Sequence, residues 1–89
     1  MKAVITVVGK DCVGILAKVS TKCAECDINI IEVSQSVLQD KFCMIMLTDI
    51  SKMKGNLGDF GDDIAKMGKE MGMEIHVMHE DIFNSMHKI

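Results

Sequence analysis

The sequence predicts an α+β sandwich whose elements run β-α-β-β-α-β, and three observations carry that prediction. Strand-like apolar runs occur four times, helical apolar stripes separate the first from the second and the third from the fourth, and only a short polar break parts the second from the third. Right-handed crossovers then close the strands into one four-stranded antiparallel sheet of order 4-1-3-2, with both helices on one face. At 89 residues the chain makes a single domain, residues 1–89, because a second core needs more chain than this.

Ala3 to Val8 is apolar on both faces apart from Thr6, as a central strand should be. From Val13 to about Cys26, Ile15, Leu16, Val19, Cys23 and Cys26 fall on one helical stripe, with Lys18, Lys22 and Glu25 away from it. In the second strand Ile31, Val33 and Val37 alternate with Glu32, Ser34 and Ser36, which predicts one buried and one wet face. Gln39-Asp40-Lys41 turns the chain into Phe42 to Thr48, apolar enough for a sheet interior.

Asn56 is placed to cap a helix in which Leu57, Phe60, Ile64, Met67 and Met71 recur at spacings of 3, 4, 3 and 4. Gly58, Gly61 and Gly68 each cost that helix about 1 kcal/mol relative to Ala, so packing must hold it, and Gly72 can end it. From Met73 to Asp81, Met73, Ile75 and Val77 point inward, with Glu74, His76, Met78 and Glu80 outward, in a fourth strand. A short C-terminal helix follows, whose Ile82, Phe83, Met86 and Ile89 need a surface on this domain or on a partner. Together these elements give the ferredoxin-like sandwich. Its second strand is an edge, where another copy can pair.

Composition excludes several function classes. The net charge is −3, every basic residue is lysine, and Trp and Tyr are absent, so neither Arg-based base reading nor an aromatic stacking platform is available and nucleic acid is not an expected partner. No run approaches a membrane span, and Gly9-Lys10-Asp11 ends the first apolar run too early for a signal sequence. A cytoplasmic protein is expected, with its four cysteines as free thiols. Nine methionines beside only three aromatics read as a plastic core. No nucleophile with a base, and no phosphate loop with its Lys and Ser/Thr, can be picked out, so no enzyme and no cofactor are expected.

The stretch with chemistry is Val8-Gly9-Lys10-Asp11-Cys12-Val13-Gly14-Ile15-Leu16, where strand passes through a tight turn into helix. Gly9 and Gly14 permit close approach and unusual torsions, and Asp11 can cap the amide of Gly14. Amides at the positive end of the helix suit the carboxylate of a small metabolite. The same residues equally describe a capped helix start without ligand, and spacing alone leaves both readings open.

That loop, with Asn29-Ile30 opening the next strand, resembles the ACT domain, the small regulatory ligand-binding module. The terminus from His79 to Ile89 is similar to that of short, stand-alone ACT-domain proteins of prokaryotes, and the resemblance runs through the whole chain. It implies a homodimer joined through second-strand edges, with an amino acid held between the first loop of one subunit and the second strand of its neighbour. Carried onto this chain, the ligand-binding residues are Gly9, Asp11, Cys12, Val13, Gly14 and Ile15 in the loop and Asn29 in the strand. Loop amides would take the ligand carboxylate, and Asp11 or the Asn29 amide its ammonium. Val13 stands where many amino-acid-binding members have proline, and Asp11 where many have Asn. With no fused catalytic domain expected, output would pass through an unidentified regulated protein or through oligomer state.

Two alternatives come from other classes. An interaction module with an empty ligand site would use the terminal helix or the wet sheet face. A thiol-based metal carrier or redox sensor would use Cys12, Cys23 and Cys26, since Cys23 and Cys26 share a helix face. Both lie on the apolar stripe near the helix end, which favours buried, inert thiols and no metal. His76 and His79, three apart in a strand, point to opposite faces.

Overall fold

The structure is a computed structural model that describes residues 1–10 and 13–86. Its elements follow the expected order: β1 (Lys2–Lys10), α1 (Ile15–Glu25), β2 (Asn29–Leu38), β3 (Lys41–Asp49), α2 (Leu57–Glu70), β4 (Met73–His79) and α3 (Glu80–Met86). The strands form one antiparallel sheet in the order β2-β3-β1-β4, the predicted 4-1-3-2 read from the other edge.

Alternation along β1 sends Ala3, Ile5 and Val7 to the helix-covered face, where they meet Met44, Met46, Met73 and Ile75 of the neighbouring strands. Ile15, Val19 and Cys23 from α1 and Phe60 and Ile64 from α2 close this core from above. Methionine supplies much of its volume, as a chain poor in aromatics requires.

Both ends of α2 follow from local chemistry. The Asn56 side chain accepts from the Asp59 amide at 2.8 Å and donates to the Asp59 carboxylate at 3.0 Å. Gly72, at φ 75°, lets the chain leave after Met71. Gly68 is required by packing rather than torsion, because a Cβ there would sit 2.7 Å from Ile75 Cγ1 and 3.0 Å from the Met73 carbonyl oxygen.

Three expectations are corrected. The fourth strand, expected to reach Asp81, ends at His79, because Glu80 and Asp81 instead form the acidic first turn of α3. The first helix was placed from Val13 to Cys26 but begins at Ile15, because Gly14 at φ 85° is left-handed and cannot lie inside a right-handed helix. The second strand was expected to bury one face, yet residues 31–37 are all exposed. It is an edge strand that α1 touches but leaves open over these residues, and the register break between Ile30 and Glu32 takes Ile31 out of the alternation. Val33 and Val37 do share the helix-side face, standing opposite Met46 and Phe42, and remain partly open there.

α3 folds back over the other face of the sheet and contacts β1 and β4. The terminal helix therefore docks on its own domain, with Phe83 half-buried and Ile82 left exposed. Val4, which points away from the main core, is only 3% exposed.

Candidate functional site

The connection from β1 to α1 is shaped by two glycines with different jobs. At Gly9 the limit is steric: a Cβ would stand 2.5 Å from Met73 Sδ and 3.1 Å from the Gly72 carbonyl oxygen, where the end of β1 passes the start of β4. At Gly14 it is torsional, since nothing lies within 4 Å of the position a Cβ would take. Gly14 is the N-cap of α1, and its carbonyl accepts from the Lys18 amide at 3.0 Å.

The first turn of α1 presents helix-terminal amides, an arrangement suited to an anion. Val13 projects fully into solvent. Ile15 is buried to 3% exposure, so its side chain belongs to the core and only its backbone can serve a ligand. Asp11 and Cys12, including the expected Asp11 cap, lie outside the described residues.

Asn29 is exposed, and it lies at the other end of the sheet. It faces Asp49, which in turn faces Lys2, whereas Gly9 faces Phe42 at the far end of the same ladder. The steps from Lys2 to Gly9 along β1 amount to about 23 Å. One chain therefore does not bring the loop and Asn29 together.

Around Asn29 lies a polar hollow lined by Asp27, Asp49, Ser51 and Lys52. The Ser51 hydroxyl and amide donate to the Asp49 carboxylate at 2.6 and 2.9 Å, holding its carboxyl below the usual carboxylate range. Lys54 pairs with Asp27 at 3.3 Å.

Cys23 and Cys26 lie at the C-terminal end of α1. Cys23 is fully buried, and burial first, with nearby Cys26 second, pushes its thiol up to about 11. Cys26 is half-buried and is the residue at which α1 ends. His76 faces Thr6 and His79 faces Ala3, so the two histidines lie on opposite sheet faces. No group of three or more His, Cys, Asp or Glu that could hold a metal ion occurs among the described residues. No helix among them is long and apolar enough to cross a membrane.

Sequence reasoning missed an apolar border along the β2 edge. Ile31, Val33 and Val37 on β2 remain exposed along the unpaired edge of the strand, and Leu16 on α1 is exposed as well. The available signal was the pairing of strongly apolar positions with a strand that the topology places at an edge.

Comparison with known proteins agrees with this architecture. The family model described as ACT domain matches residues 2–78. A UPF0237 protein of Listeria monocytogenes is 45% identical over 89 residues, covering 100% of both chains. Another, from Clostridium acetobutylicum, is 46% identical over 89 residues with the same coverage. Among solved structures, an ACT domain protein from Streptococcus pneumoniae superposes with a TM-score of 0.80 at 38% identity, covering 93% of each chain. The family is one of regulatory ligand-binding modules, and by the match of model, relatives and fold the chain belongs to the ACT-domain family.

Proposed function

We propose that this protein binds a free amino acid as a homodimer and signals its presence to a regulated protein. The ligand carboxylate is held by the first-turn amides of α1, and its ammonium is received by Asp11 or by Asn29 of the partner subunit.

The observation that carries this reading is the separation of the loop from Asn29 within one chain. Lys10 faces Lys41, and Lys41 faces Leu38, so the loop and the end of β2 share one end of the sheet. If two β2 edges pair antiparallel about a two-fold axis, the start of the partner's strand comes to that same end. Such pairing completes the site and satisfies the unpaired edge, while Leu16, Val33 and Val37 gain apolar cover.

A thermal-shift screen against the twenty amino acids at one fixed protein concentration tests the proposal. An amino acid at ~100 times its dissociation constant adds about 2.7 kcal/mol, a rise of roughly 10 °C or more for a domain of this size. That rise should vanish in Asn29→Ala and Gly14→Val variants, and sedimentation should give a dimer that Val33→Lys dissociates. A wild type that stays monomeric, or responds to no amino acid, overturns the reading. A stable dimer without response transfers the case to a protein-interaction module.

A further inference from the structure

The sheet face opposite α1 and α2 carries a feature that the loop site does not use. On the central strands this face is apolar: Val8 stands opposite Cys43, and Thr6 opposite Ile45. The outer strands border it with polar side chains, Ser34 and Ser36 on β2 and His76 and Glu74 on β4. α3 covers one end, while Val8 and Ile45 beyond it stay 40% and 43% exposed. The result is a trench two strands wide that holds a cavity of about 480 Å³, floored by Thr6, Val8, Cys43 and Ile45 and walled by Met78 and Phe83.

At the other end of the trench stand two lysines. Lys10 and Lys41 are direct cross-strand partners, one alternation beyond Val8 and Cys43 on the same face. Like charges directly opposite destabilise a sheet, and an anion between the two ammonium groups would relieve that repulsion. Among the described residues neither lysine is in an ion pair. They line a second hollow of about 320 Å³ that shares Val8 with the trench and is bordered by Asp40 and Glu74 as well.

We propose that this trench is a second ligand site, for one free medium-chain carboxylate per chain. The carboxylate lies between Lys10 and Lys41, and the alkyl chain runs over Val8 and Ile45 toward Phe83. From Lys10 back to Thr6 the floor extends about 13 Å, a length that octanoate or decanoate fills. The cavity volume falls in the range of small-molecule sites, and the tail removes exposed Val8 and Ile45 from water. Because the trench and α1 lie on opposite faces of the sheet, this inference is independent of amino-acid binding at the loop.

The test is calorimetric titration of the purified protein with decanoate, kept below its micelle-forming concentration, alongside amide-resolved NMR. Saturable binding of one decanoate per chain is expected, with shifts at Thr6, Val8 and Ile45. Lys41→Glu should weaken it about tenfold or more, and Ile45→Asp should abolish it. Both positions are exposed, so the variants should keep the wild-type circular dichroism spectrum, which is recorded as a control. Decyltrimethylammonium, with the same tail and the opposite charge, should not bind. No saturable binding, equal affinity in Lys41→Glu, equal binding of the cationic amphiphile, or uptake only above the micelle-forming concentration would each overturn the proposal.

Discussion

Thr48 donates its hydroxyl to the carbonyl oxygen of Ala3 at 2.9 Å, across the pairing of β3 with β1. Thr48 is fully buried, and this bond lets a hydroxyl sit in the core at the end of a run of methionines. Replacing it by valine keeps the shape and removes the donor. Thr48→Val should lower unfolding free energy by about 1–2 kcal/mol in a urea titration, whereas Thr48→Ser, which retains the hydroxyl, should lose only the buried methyl. Equal stability of Thr48→Val and wild type would show that the bond contributes nothing net.

Gly14 and Gly68 should respond to alanine for opposite reasons. At Gly14 there is open space and a left-handed torsion, so Gly14→Ala should cost about 1–2 kcal/mol and Gly14→Asn distinctly less. Thermal melts of the two variants at one protein concentration make the comparison.

For Gly68, helix propensity alone predicts a gain of about 1 kcal/mol on substitution by alanine. The close approach of Ile75 and the Met73 carbonyl reverses the sign, and Gly68→Ala should destabilise by about 1–3 kcal/mol. Ile75→Val in the same chain should recover part of that loss. A double-mutant cycle by chemical denaturation reads the coupling.

The Cys23 thiol should resist reagents in the folded protein and react only on unfolding. Its folded value is raised from 9.0 to about 11, so the folded state keeps the proton over a window where the unfolded chain has released it. The stabilisation is therefore fully present below pH ~9 and is lost as pH rises from there through ~11. Cys23→Ala should flatten that part of the stability profile. Rapid modification of Cys23 in the native state would contradict its burial.

Periodicity made much of the fold legible. The 3, 4, 3, 4 spacing from Leu57 to Met71 placed α2, and Asn56 and Gly72 marked its ends, because caps and helical faces are properties of near neighbours. The alternation of Met73, Ile75 and Val77 did the same for β4. Reading the second strand the same way failed at Ile31, where an irregular register breaks the alternation, and at Val33 and Val37, which face a helix layer that does not reach them. Gly14 was recognised as a turn glycine, but its left-handed torsion, which delays α1 to Ile15, is a backbone state that residue identity permits without dictating.

Local periodicity and the handedness of crossovers set the kinds of element, their order and the topology that makes β2 an edge. Tertiary structure alone decided that Asn29 lies at the opposite end of the sheet from Gly14. It also decided that Lys10 stands across from Lys41, and that α3 turns the second sheet face into a trench. Each of these depends on strand register and on contacts between residues far apart in the chain, where the free energy of packing layers, rather than the preference of any short segment, selects the arrangement.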